Sequence, residues 1–421
     1  MASPAARFTF AHALPRACHW FALARSARAG APAAVFAALV FCSCRSRTTG
    51  LAAVAGVAVL SYAAHVAAGA VTTVLLLPIS GGAVRTLRFV EAALRSSPVT
   101  WLARALGVDS MRQNMVSVVD STATMLGERS AEAARLSDPT WVRATLRAPD
   151  GAPLEAIIKR ARGGGGGGDD RCVVYLGGNG EFAQVSALAL EREWVRTRGA
   201  TLVTVNLRDV GGSGGAAYPP TPGGLVLDAA TAIAFAVAPC ESGGLGFAPE
   251  NVLVLGHSLG GSLATLALAH GLAGPGARGV ALVADRSFSS LSAVAVTHLA
   301  NAFGAGGGGG RRSAEKAGTG GGAEKATTGI AARLYPSAVY FLVAHVACWE
   351  LDAAAAWPAL PSATERVACV AAGDEVIPPG AALAPPAHTR KLTLPLGASA
   401  HNSAWGPADT AEVLKLIKWA R

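Results

Sequence analysis

From residue 141 onward the chain alternates short apolar runs with longer segments of helical spacing, and glycine or proline punctuates the joins. Residues 141–146 and 154–159 flank Pro149-Asp150-Gly151, a turn signal, and predict a β-hairpin. Further runs at 172–176, 201–205, 252–255, 279–284 and 367–371 are rich in Val, Leu and Ala with little polar alternation, the pattern of strands covered on both faces, and a last short strand is expected at 391–394. Helical segments at about 184–197, 225–238 and 408–420 fall among them. Strand and helix in alternation predict an α/β fold with a mostly parallel central sheet and helices on both faces, placed behind the opening hairpin.

The first 140 residues read differently. No Asp, Glu, Lys or Arg occurs in 48–84, and within it 51–77 is an apolar run interrupted only by Ser61, His65, Thr72 and Thr73. That run exceeds the roughly 20 residues needed to cross a bilayer. It is expected to form an N-terminal transmembrane helix, ended by Pro78 and Gly81-Gly82, with His65 as a helix-interface residue. A shorter apolar run, 31–44, reads as a second span, a re-entrant segment or a signal core. Four organisational units follow: a basic, acid-free segment 1–47, the transmembrane segment 48–84, a helical connector 85–139 with amphipathic helices including 84–106 and 121–136, and the α/β domain 140–421. Within the last, about 292–362 interrupts the alternation. Residues 304–329 there are low-complexity and glycine-rich, and 340–357 reads as an aromatic helix, either part of a lid or a helix packed on the sheet edge.

Charge sharpens this division. The net charge is +9, yet residues 1–90 hold eight Arg and no acidic residue, which leaves a net of +1 on the remaining 331 residues. The body therefore has no electrostatic case for nucleic acid. The Ala- and Arg-rich first thirty residues resemble an organelle transit peptide, for example of a plastid, and would serve equally as the basic flank of an anchor. Seven cysteines, at 18, 42, 44, 172, 240, 348 and 369, form neither a C-x-x-C pair nor a zinc-spaced array. Reduced, mostly buried thiols are expected; Cys42 and Cys44 beside the apolar run are palmitoylation candidates. No metal or cofactor is called for, and the oligomeric state is not legible.

Chemistry concentrates at Gly256-His257-Ser258-Leu259-Gly260, between the run 252–255 and a Leu/Ala-rich helical segment. Small residues on both sides of a serine allow the strained strand-to-helix turn that exposes its Oγ at a helix N-terminus. Gly211 to Gly215 matches the same G-x-S-x-G pattern, but Ser213 is followed by AAYPPTPGG, which cannot start a helix, so Ser213 is read as a loop residue. Gly212-x-Gly214 likewise opens no helix and is not a dinucleotide fingerprint. A serine nucleophile needs a base and an acid that orients it. Asp374 follows the run 367–371 and His401 follows the run 391–394, the places where those partners belong; Glu375 is the alternative acid. Two N–H groups should hold an oxyanion: that of Leu259, and that of Asn179, or next Gly180, in the loop after 172–176.

These residues carry a resemblance. From about 140 to 421 the chain resembles an α/β-hydrolase, and within that superfamily the membrane-anchored α/β-hydrolase-domain and serine-aminopeptidase-like branch. Gly177-Gly178-Asn179-Gly180 is similar to its His-Gly-Asn loop, with Gly177 replacing His; Asn206 to Ser213 resembles N-x-R-G-x-G-x-S, with Asp209 replacing Gly; Asp285 to Ser290 resembles D-x-[ST]-F-x-S. The resemblance implies a membrane-associated serine hydrolase that cleaves an ester, acyl-lipid or thioester, through an acyl-enzyme on Ser258. An amide substrate and a catalytically silent interaction module are its rivals.

Overall fold

The computed structural model describes residues 109–161, 171–214, 220–302, 350–384, 390–394 and 401–417, with a few isolated positions besides, Arg7–Thr9 among them. Nine strands form one sheet: β1 (Arg7–Thr9), β2 (Val142–Arg147), β3 (Pro153–Lys159), β4 (Cys172–Leu176), β5 (Thr201–Val205), β6 (Val252–His257), β7 (Ala281–Asp285), β8 (Arg366–Ala371) and β9 (Lys391–Leu394), in the order β1-β2-β3-β5-β4-β6-β7-β8-β9. Strand β3 runs against both of its neighbours, and every other pairing is parallel. The expected hairpin is therefore present as β2–β3, and β1 lies within the segment read as a basic leader.

Every residue of β4, β5, β6 and β7 is buried, which is why these strands read as mostly apolar runs. Alternate side chains divide between two cores. Val174 and Leu176 of β4, Val252 and Val254 of β6, and Leu282 and Ala284 of β7 face a core shared with α3 (Pro222–Val237) and α4 (Leu259–Ala269). Val173, Tyr175, Leu253, Leu255 and Val283 face the opposite way, onto Trp194 and, from α7 (Pro407–Leu416), Val413 and Leu414. Helices thus cover both faces, as the periodicity requires.

Two expectations change. The helix expected at 121–136 is longer: α1 (Asp109–Arg135, 27 residues) begins well before residue 121 because neither Gly nor Pro interrupts 109–126, while of the expected helix 84–106 only Glu91, Ala92 and Arg95 are described, all three helical. The segment 184–197 is not a uniform α-helix: α2 (Ala183–Leu190) widens into a π-helical stretch, Glu191–Thr197. There Glu191 meets the buried Lys159 at 3.1 Å, and Trp194 is 2% exposed. After α5 (Leu291–Ala302) the low-complexity segment and most of 340–357 lie outside the described residues. What is described, α6 (Ala353–Ala356) and Trp357, packs in the core shared with α4. Residues 48–84 also lie outside the described residues, among which no helix is long and apolar enough to cross a membrane.

Candidate active site

Strand β6 ends at His257 and α4 begins at Leu259, so the whole change of direction falls on Ser258. Its backbone stands at φ 51° and ψ −116°, a region that side chains rarely enter. The glycines make that turn sterically feasible: a Cβ on Gly260 would lie 2.0 Å from the carbonyl oxygen of Leu176, and one on Gly256 2.4 Å from Cα of Gly261. The Ser258 N–H donates to the carbonyl of Asp285 at 2.8 Å, which ties the turn to the end of β7.

Asp374 and His401 come together from the loops after β8 and β9. His401 Nδ1 lies 2.8 Å from Asp374 Oδ2, and both residues are buried. The other carboxylate oxygen accepts the N–H groups of Val376 at 2.9 Å and Ile377 at 2.6 Å, which fixes the carboxylate plane. Glu375, the alternative acid, is exposed. The His401 ring stands 4.9 Å, centroid to centroid, from the ring of His257, the residue before Ser258. The described parts of the three loops therefore converge at the carboxyl ends of the parallel strands, where α/β sheets place their ligands. A groove of about 590 Å³ beside His270, Arg278 and Pro361 opens at the opposite ends of those strands and belongs to a different part of the surface.

The loop after β4 supplies a fourth wall. Gly178 is buried, and a Cβ there would lie 3.2 Å from His257 Cδ2 and 3.4 Å from Ser258 Cβ, so it is Gly178 that approaches the serine most closely while Asn179 is exposed. Glu181 closes this turn. Its carboxylate accepts the Gly178 N–H at 2.8 Å, the Tyr175 hydroxyl at 2.9 Å and the Ser186 hydroxyl at 2.7 Å. Burial first, and then the Glu181 charge, push the Tyr175 phenol well above its ordinary value, so it stays protonated and donating. Glu181 also explains Gly177: a Cβ at 177 would come within 3.0 Å of the Glu181 side chain.

Strand order and site together decide the architecture. Strands β2-β3-β5-β4-β6-β7-β8-β9, reversed only at β3, carry the serine on the turn after β6, the acid after β8 and the histidine after β9. This is the α/β-hydrolase fold. No protein-family model matches the chain, and no curated protein does. Solved structures similar to it include acetyl xylan esterase 1 from Thermoanaerobacterium sp., at 15% identity over 70% of this chain and 92% of that one with a TM-score of 0.41. A thermophilic esterase from Thermogutta terrifontis is 16% identical over 69% and 94%, with a TM-score of 0.38. A thermostable carboxylesterase cloned from a metagenomic library is 15% identical over 70% and 92%, with a TM-score of 0.39.

Within the hydrolase fold the second glycine-flanked serine has a different part. Ser213 Oγ donates to the Asn206 carbonyl at 2.7 Å and accepts the Glu155 N–H at 2.7 Å, stapling the loop after β5 to β3. Asp209, where glycine was the usual residue of the resembling segment, takes a left-handed backbone (φ 66°), a conformation that Asp tolerates better than most side chains. Arg208 beside it grips Asp228 of α3 at 2.7 Å and Asp150 of the hairpin turn at 2.7 Å. Sequence reading passed over two elements of the site: Glu181, and a second His–Asp pair, His257 with Asp285, whose Nδ1 and Oδ2 are 3.1 Å apart. The pair had a signal. His257 and Asp285 are the polar residues that close two apolar strands in sequence succession, and the parallel register sets His257 opposite Asp285.

Proposed function

We propose that the chain is a serine hydrolase of carboxylic esters in which Ser258 is the nucleophile, His401 the base and Asp374 the residue that orients it. One observation carries this reading: a serine on a strained strand-to-helix turn shares the carboxyl end of the sheet with a buried His–Asp pair at 2.8 Å, in the chain order Ser, Asp, His. With Nδ1–H given to Asp374, the imidazole's Nε2 is left as the acceptor. His401 removes the Ser258 proton as Oγ attacks the ester carbonyl, then returns it to the leaving alcohol. Asp374 stabilises the imidazolium formed between these steps. The acyl-enzyme is cleared by water activated in the same way. Negative charge on the tetrahedral oxygen falls to the N–H of Leu259, at the start of α4, and to that of Asn179 in the Gly178 turn.

The substrate proposed is an acyl ester or thioester of lipid character, and the place of work a membrane to which 48–84 tethers the chain; the charge-free run of that segment supports both. A fluorophosphonate probe applied to the full-length chain tests the chemistry. Labelling that disappears in Ser258→Ala and is competed by acyl esters is expected; equal labelling of that variant would remove the hypothesis. Competition by peptide amides alone would redirect the substrate class, and release of the chain by alkaline carbonate would count against the tether.

A further inference from the structure

One buried cluster at the same end of the sheet has no part in the scheme above. Arg286 follows β7 with a left-handed backbone (φ 46°), and its N–H donates to the Cys369 carbonyl of β8 at 2.8 Å. Its guanidinium grips Asp285 through Nε at 3.0 Å and Nη2 at 2.7 Å. Nη1 reaches the other way and donates at 2.7 Å to the carbonyl oxygen of Ser403, two residues past His401. Asp285 in turn faces His257 with its carboxylate and accepts the Ser258 N–H with its main-chain oxygen. Asp285, Arg286 and His401 are each 5% exposed or less.

A single guanidinium thus joins the segment that bears His401 to the strand end that holds Ser258. Neutralising Asp285 would not by itself require this arrangement, because a lysine ammonium would serve. What needs arginine is the planar fork that saturates a carboxylate on one edge and has a donor left for a carbonyl on the other. The left-handed backbone, which a non-glycine residue rarely adopts, is the second sign that placement rather than charge is what the site requires.

We propose that Arg286 is a positioning residue, which sets where His401 stands relative to Ser258 by way of the Ser403 carbonyl and Asp285. This rests on the hydrolase reading of Ser258 and His401. The test compares the full-length wild type with Arg286→Lys and Arg286→Gly, using p-nitrophenyl butyrate. Displacing a catalytic group by about 1 Å costs about 100-fold, so kcat should fall by that order in both variants while KM stays within about twofold. Glycine accepts the left-handed backbone and leaves space for a guanidinium ion; millimolar guanidinium should restore part of the turnover of Arg286→Gly and none of that of Arg286→Lys. Hydrogen exchange needs no turnover: the amides of 401–406 should exchange faster in both variants, and those of α3 at the wild-type rate. Unchanged exchange at 401–406, or a kcat within twofold of wild type in an otherwise active enzyme, overturns the proposal. Ester hydrolysis that survives Ser258→Ala would sink the hydrolase reading instead, with the exchange result still deciding the tether.

Discussion

Asp374 shows how much of a site one carboxylate organises. One oxygen holds two main-chain N–H groups of its own loop and the other faces His401, so the loop and the imidazole orient each other. Asp374→Asn keeps the shape and forfeits the tautomer control; kcat for ester hydrolysis should fall about 10⁴-fold with little change in KM. Stopped assays at saturating ester would measure this, and a loss under tenfold would mean that another acid serves. The candidates Ser258, Asp374 and His401 could be named from the sequence because each follows a predicted strand and the three stand in the chain order Ser, Asp, His. Arg286 and Glu181 were not. What makes them matter is a carbonyl two residues past His401 and an N–H in a glycine turn, and contacts to the main chain leave no trace in residue type.

At the level of elements, the runs foretold strands and the glycines foretold turns, but strand order was invisible. Nothing in 153–159 says that it pairs with 201–205 rather than with 172–176, since both are five-residue strands buried along their whole length. The loop after β5 is held by Arg208, 3% exposed, between Asp228 and Asp150. Burial first, helped by the Asp150 charge, pushes the Asp228 carboxyl up to about 6, against the pull of Arg208. Arg208→Met would leave that carboxylate without its cation, at a cost of about 3–5 kcal/mol at neutral pH. Without Arg208 the Asp228 carboxyl is pushed higher still, so on acidification it takes up a proton and the penalty shrinks. Urea unfolding of wild type and variant at neutral and acidic pH should show a gap that narrows on acidification. A gap independent of pH would place the damage elsewhere.

For the whole molecule, the His257–Asp285 pair links stability to pH. Burial disfavours the His257 imidazolium, but the Asp285 hydrogen bond and charge outweigh it, and the net effect holds its pKa above the ordinary 6.5. The stability it contributes is complete below that value and is lost as pH rises through the folded pKa. Asp285, which burial pushes up and His257 and Arg286 pull further down, sits below its ordinary 3.8; its contribution is present above that pH and lost on acidification through the folded value. Calorimetric midpoints should therefore decline as the pH rises above about 6.5, and His257→Asn should flatten that slope; an unaltered slope would assign it to other groups. Ser258 sets a second balance at this scale. Its backbone strain of about 1–3 kcal/mol is borne by a domain whose entire stability is of order 5–15 kcal/mol. Glycine adopts φ 51° freely, so Ser258→Gly should unfold at a higher temperature than wild type although it lacks the hydroxyl that the proposed mechanism requires. The serine is thus held uphill. In a lineage released from the need for chemistry, drift toward glycine at this one position would be rewarded with a sturdier protein, and every generation that keeps the hydroxyl forgoes that gain.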